Sequence, residues 1–138
     1  GYFNVYEACA YEEIDFWIHL GDYLYEYPMD GYATENAQLL NRIPEPHHEI
    51  LTLSDYRKRH AQYKKDPQSQ LLHATHPLIA VWDDHEITND TWKYGAENHD
   101  ASEGNFLERK SNAIKAYLEW MPIREIFIDH LKLARFLI

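Results

Sequence analysis

Pro77-Leu78-Ile79-Ala80-Val81-Trp82-Asp83-Asp84-His85-Glu86 is the stretch on which the reading of the fold turns. Its apolar half has the length of a short buried strand, and the charged half follows without a spacer. Three carboxylates and an imidazole therefore stand where the backbone leaves a sheet. In open α/β sheets ligands collect beyond the carboxyl ends of the strands. Carboxylates packed this closely repel one another unless a cation or a shared proton relieves them, and a hard metal ion is the simplest relief. The same residues also read as a helix N-terminus, with Asp83 or Asp84 as the cap and Glu86 in a first turn that the macrodipole favours. On this stretch alone the two readings weigh evenly.

A second strand is read at Ile14-Asp15-Phe16-Trp17-Ile18-His19-Leu20, where β-branched and aromatic residues dominate and the apolar positions 14, 16, 18 and 20 alternate with the others. It stops at Gly21-Asp22, which places another carboxylate just past a strand end. Between the two strands, Ser54 caps a helix over residues 55–65 that Pro67 ends, and a short helix carries Gln70 to His73. Parallel strands need such a crossover, so the acids after Leu20 and after Val81 are expected to meet in one crevice. Tyr56, His60 and Tyr63 share a helical face. The basic run at 57–59 reads mainly as a solvated face, with Arg57, nearest the helix start, singled out as a contact for a substrate anion.

The excursion from Tyr25 to His48 has Pro, Gly and Asn punctuation without periodicity, and its tyrosines favour an ordered lid over a linker. His47 and His48 are adjacent, so their side chains diverge and they read as solvated rather than chelating. Asn4 with Glu7 resembles a capping arrangement for a helix running to Glu12 or Glu13, and Cys9 within it reads as a small buried apolar residue. After a polar loop to Gly104, Leu107, Ile114, Leu118 and Met121 mark a helix from Asn105, with Glu108, Arg109, Lys110 and Lys115 on its other face and Pro122 as its stop. Residues 126–138 fit a helix or an edge strand equally.

The 138 residues suffice for one domain, and 45% hydrophobic with 14% aromatic residues supply a core. A net charge of -10, from 23 acidic and 13 basic side chains, argues against a nucleic-acid backbone or an anionic membrane as the main partner. It leaves a phosphorylated substrate open, because bound cations reverse the local sign. The single cysteine excludes an internal disulfide, and no apolar run reaches the ~18 residues of a membrane span. Without an initiating Met or a basic-then-apolar leader, the chain reads as a piece of a longer protein whose localisation its own residues do not give.

Taken in order, several segments carry a resemblance. They are His19-Leu20-Gly21-Asp22-Tyr23-Leu24-Tyr25-Glu26-Tyr27, Leu53-Ser54-Asp55-Tyr56-Arg57, Val81-Trp82-Asp83-Asp84-His85-Glu86, Arg109-Lys110, and Glu119-Trp120-Met121-Pro122-Ile123-Arg124. The series resembles the alkaline phosphatase D family of the calcineurin-like metallophosphoesterases. Gly1-Tyr2-Phe3-Asn4 is similar to that family's segment just downstream of its motif cysteine. Each motif alone is weak, and the series at compatible spacing is strong. The resemblance covers residues 1–124 and leaves 125–138 divergent.

The resemblance implies a single, partial domain of an α/β metallophosphoesterase-type fold, with two or more short strands, helical crossovers and long loops. It implies that Asp22 bridges two metal ions, that Tyr25 ligates a ferric ion, and that Asp84 holds the metal-ligand position where Asn is usual. His85 then contacts the phosphate and protonates the leaving group. The extra carboxylate at Asp84 suits a hard ion, and Fe³⁺ with Ca²⁺ is the pair that the family suggests. The implied substrate of the parent protein is a phosphate monoester or diester, with no nucleic-acid partner beyond a diester substrate, and the implied location is secreted or periplasmic. Two metal ions about 3.5–4 Å apart supply the charge neutralisation and the hydroxide that ester hydrolysis needs. A phenolate ligand needs a strong Lewis acid, since a free Tyr has a pKa near ~10.

The family's amino-terminal β-sandwich, its motif cysteine and its downstream histidine ligands have no counterpart in these residues. Cys9 lies after the Gly1 segment rather than before it and inherits no ligand role. Too few ligands for turnover are expected in this stretch alone. Two other readings stand beside the hydrolase. One is a helical interaction domain whose carboxylates are caps, with Tyr25 an ordinary lid aromatic; the other is a metal-free acid/base hydrolase using Asp83 and Glu86, whose activity a chelator would leave intact.

Overall fold

The computed structural model describes residues 3–32 and 34–123, so the stretch at 126–138 lies outside the described residues. In chain order the elements are helix α1 (Asn4–Ala10), strand β1 (Trp17–His19), helices α2 (Leu53–Lys64) and α3 (Pro67–Thr75), strand β2 (Leu78–Ala80), a short 3-10 turn (Ala101–Glu103) and helix α4 (Phe106–Trp120). β1 and β2 pair in parallel, with Trp17 opposite Leu78, Ile18 opposite Ile79 and His19 opposite Ala80. The expected crossover is present, and the protein is an α/β assembly in which α1 packs on α3 and α2 on α4.

The helix starts follow side-chain chemistry. Thr52, not Ser54, caps α2 in a reciprocal box: its hydroxyl accepts from Asp55 N at 3.3 Å, and the Asp55 carboxylate accepts from Thr52 N at 3.0 Å. Asp66 caps α3, with Pro67 at the first helical position where a missing N–H is harmless. Its other oxygen accepts from Arg42 at 2.5 Å, which ties the long loop to the crossover. Asn105 caps α4 through Leu107 N and Glu108 N. Asn4 caps nothing: Phe3 occupies that position without a side-chain bond, and the helix ends at Ala10. Cys9 is half-buried.

Two expectations about burial are reversed. The alternating apolar set of β1 faces outward, with Phe16 50%, Ile18 53% and Leu20 78% exposed, while Trp17 and His19 point toward the helices. Ile79 at 49% and Val81 at 42% extend the same bare face. Parallel sheets are normally covered on both sides, and among the described residues only one side is covered. On α4, Leu107 is half exposed and Arg109 and Lys110 are buried. Arg109 reaches inward because its guanidinium is fully used, donating to Asn98 O at 3.0 Å, Glu49 at 2.7 Å and Tyr56 Oη at 3.2 Å.

The core has two adjoining parts. Leu24, Ile50, Tyr56, Ile87 and Phe106 pack in one, and Tyr23, Trp82, Ile114, Tyr117 and Met121 in the other. The long loop is ordered by Arg59, which the basic run had hidden among solvated charges. Arg59 is buried and donates to the carbonyls of Tyr25, Tyr27, Glu45 and Pro46. Four loop carbonyls thus converge on one cation, which satisfies backbone that would otherwise be buried unpaired.

His60 is fully buried, stacked on Trp120 at 6.4 Å between ring centroids, and neither ring nitrogen meets a partner among the described residues. Burial drives its pKa down to about 3. The folded chain therefore holds it neutral, whereas the unfolded chain protonates it below its ordinary value, so stability is lost as pH falls from about 6.5 toward 3. Chemical denaturation across pH 7 to 4 is expected to show the wild type losing about 3 kcal/mol more than His60→Leu. Parallel curves for the two proteins would contradict the buried neutral imidazole.

Candidate metal centre

The chain leaves β1 through Gly21 and Asp22, both in left-handed backbone, at φ +111° and +54°. The conformation turns the Asp22 loop hard against the one that follows β2. A Cβ on Gly21 would lie 2.4 Å from Asp83 N and 2.6 Å from Asp83 Cβ, so only glycine permits the approach. The buried Glu86 carboxylate then ties both loops together, accepting from Tyr23 N at 2.5 Å and from Asp83 N at 2.8 Å. Burial raises its pKa to about 7 against those hydrogen bonds.

These constraints bring together residues that lie far apart in sequence. Asp22, Asp84 and His85 each offer a ligand atom, all within 4.8 Å of one another. Tyr25 Oη lies 3.4 Å from Asp22 Oδ2, and its ring sits 4.5 Å from that of His85. Asp84 Oδ2 accepts from Asp90 N. Asp22 Oδ1 is buried and has no hydrogen-bond partner among the described residues. A buried carboxylate oxygen left unpaired is costly, and a cation is the partner that fits it, given a second carboxylate and an imidazole at coordination range. Oxygen-rich sets of this kind suit hard ions.

The electrostatics point the same way. Burial raises the pKa of Asp22; His85 opposes the rise, and Asp84 and Asp83 add to it. Burial and the Asp22 charge push Tyr25 up to about 12, so without a cation it stays a phenol. For His85, burial works against the charged form, yet the Glu26 hydrogen bond and the carboxylates of Glu26, Asp22 and Asp84 outweigh it and raise its pKa.

Two residues here hold places that the sequence reading did not give them. Glu26 is buried and holds His85 Nδ1 at 2.7 Å. Glu86, read in the sequence as a first-turn acid or an acid/base group, is the tie described above. Nothing in their periodicity marks them; an acid directly after Tyr25, inside an otherwise aromatic run, was the available signal. Asp83 is exposed and contributes its backbone to the contact. Arg57 makes a two-point ion pair with Glu119, at 2.7 and 2.6 Å, across α2 and α4. His48 lies 3.3 Å from Asp55, apart from the cluster. A cleft of about 730 Å³ opens beside the cluster, lined by Asp22, Tyr25, Tyr27, Tyr32, Arg42 and Lys65 among others.

A family model described as PhoD-like phosphatase matches residues 1–136. The chain belongs to the PhoD-like phosphatase family. The match runs past residue 124, where the series of motifs ends. Alkaline phosphatase D of Bacillus subtilis (strain 168) is 39% identical over 124 residues, which is 90% of this chain and 21% of that protein. A solved structure described as the structure of PhoD superposes with a TM-score of 0.77 at 36% identity, covering 91% of this chain and 23% of that one. This PhoD-like chain thus spans about a fifth of the length of the curated relative it matches. None of its described helices is long and apolar enough to cross a membrane.

Gly21→Ala in this PhoD-like chain meets both a backbone clash and a disfavoured φ, whereas Gly104→Ala at φ +95° meets only the second, with open space around it. Thermal melts are expected to place Gly21→Ala about 2–4 kcal/mol below wild type and Gly104→Ala about 1 kcal/mol below. Equal losses would mean that the two acidic loops do not touch.

Proposed function

We propose that the protein of which this chain is part hydrolyses phosphate esters at a metal centre built on Asp22, Tyr25, Asp84 and His85. The observation that carries the reading is the meeting of Asp22, Asp84 and His85 ligand atoms within 4.8 Å around a buried, unpartnered carboxylate oxygen. The chain's place in a phosphatase family supports the same reaction class. Residues 1–138 form a single, partial domain of that enzyme in this proposal.

Metal ions held here would neutralise the phosphoryl oxygens and supply a hydroxide near neutral pH. Asp22, with one oxygen toward Tyr25 and the other unpaired, would hold metal together with Asp84, which Asp90 N keeps in place. Tyr25 would bind as a phenolate, and since its own pKa is pushed up to about 12, the ion that fits it is a strong Lewis acid; Fe³⁺ is the proposed partner, with Ca²⁺ as the second proposed ion. His85, its charged form favoured by the surrounding carboxylates, holds a proton for the departing ester oxygen. The substrate is a phosphate monoester or diester whose leaving group lies along the tyrosine-lined cleft. The proposal does not rest on Arg57, which Glu119 engages.

Two measurements test this. In the full-length protein, Asp22→Asn is expected to abolish hydrolysis of an aryl phosphate, with a loss of at least ~10³-fold; retention of activity, or insensitivity to a chelator, would overturn the metal reading in favour of acid/base or non-enzymatic alternatives. Titration of the chain with Fe³⁺ is expected to give a visible charge-transfer band that Tyr25→Phe removes. A band that survives the substitution withdraws the phenolate assignment.

A further inference from the structure

Glu26 is fully engaged beside the cluster, and the proposed chemistry gives it no contact with metal or substrate. It is buried at 0% exposure. Its Oε1 accepts from Asn89 N at 2.8 Å, Asn98 Nδ2 at 2.8 Å and Thr88 Oγ1 at 3.1 Å, and its Oε2 faces His85 Nδ1 at 2.7 Å. The acid adjacent to His85 in sequence, Glu86, is engaged by two backbone N–H groups of the loops. The carboxylate that reaches the imidazole therefore comes from the other loop, 59 residues away.

We infer that Glu26 is a positioning residue that fixes the tautomer and the ring orientation of His85, with Nδ1–H toward Glu26 and the lone pair of the neutral ring on Nε2. A carboxylate only accepts, so the nitrogen facing Oε2 must carry hydrogen. Nε2 makes no hydrogen bond among the described residues, and a neutral ring is left with its lone pair there. Two N–H donors on Oε1, Asn89 N and Asn98 Nδ2, stop the carboxylate from rotating, so the orientation is set by the loop of residues 88–98 and by Glu26 together. What this arrangement does for catalysis rests on the reading under Proposed function; the tautomer itself does not.

The geometry makes a sharp prediction for Glu26→Gln. The amide oxygen is expected to stay with Asn89 N and Asn98 Nδ2, because an NH₂ group there would meet both of these donors, while Thr88 Oγ1 can give its hydrogen to Asn98 O at 2.9 Å. Its NH₂ is then presented to His85 Nδ1, which can answer only as an acceptor. The neutral ring is forced into the opposite tautomer, with Nε2–H. Glu26→Asp keeps an acceptor and is expected to keep the original form.

The experiment is a long-range nitrogen–proton correlation spectrum of the ¹⁵N-labelled chain at a pH where His85 is neutral, with His85 identified by the signals lost in His85→Gln. Expected are a protonated, pyrrole-type Nδ1 and a pyridine-type Nε2 in wild type and Glu26→Asp, and the reverse in Glu26→Gln. A wild type with pyrrole-type Nε2, or a Glu26→Gln protein that folds and keeps the wild-type pattern, overturns the inference. Should Glu26→Gln fail to fold, the wild-type pattern alone decides. Calorimetry with Ca²⁺ on the same samples separates the two claims: a wrong tautomer with intact binding sinks only this inference, and the assigned tautomer with no metal binding sinks only the metal centre.

Discussion

Everything at the rim of the sheet depends on two acidic loops being held in contact against their own repulsion. Burial is the main cause of the raised proton affinity of Asp22, and Asp84 and Asp83 add to it; nothing in that interaction draws the loops together. Three features do. The parallel register sets both strand ends at one level; Gly21 removes the one atom that would collide with Asp83; Glu86 takes an N–H from each loop. The last feature adds a buried acid to an acidic site, and its cost shows in a pKa raised to about 7. It is tolerated because the alternative leaves the buried Tyr23 N–H without an acceptor, a penalty of roughly 1–3 kcal/mol, and frees the part-buried N–H of Asp83 as well.

The meeting of Asp22 with Asp84 was legible because it follows from topology. A strand ending at Gly21, a strand ending near Val81 and helical residues between them leave few arrangements, and each puts the acids side by side. The faces of the sheet were not legible. Alternation identifies two faces without saying which one is covered, and β1 turns Trp17 and His19, not Ile18, toward the helices. Buried cations were missed for a related reason. Arg59 and Arg109 sit in runs that look solvated, and only long-range backbone carbonyls and acids, brought close by folding, give them reason to be inside. The start of α2 moved from Ser54 to Thr52 because Asp55 lies three residues after threonine, as a reciprocal box requires.

The bare side of the sheet and the crowded rim are two consequences of one layered plan. Helices α1 and α3 cover the side carrying Trp17 and His19, while Phe16, Ile18, Leu20, Ile79 and Val81 form an outward apolar surface among the described residues. With about 25 cal/mol available per Å² of apolar area removed from water, such a surface favours burial strongly. The site escapes this dependence in part, because its geometry is set on the covered side and at the strand ends.

The protonation pattern shows what kind of partner the rim is built for. Burial and the Asp22 charge raise the pKa of Tyr25, and against burial Glu26, Asp22 and Asp84 raise that of His85, so the site holds protons on a base and on an acid at once. A field of that sign is wasteful for metal-free acid/base work, which needs one group poised to give a proton and another poised to take it. Such a field suits a multivalent cation, whose binding would displace the protons, in keeping with the metal centre proposed above. The unpaired oxygen of Asp22 is the geometric counterpart of that field, since a proton donor there would have filled the position a metal ion needs.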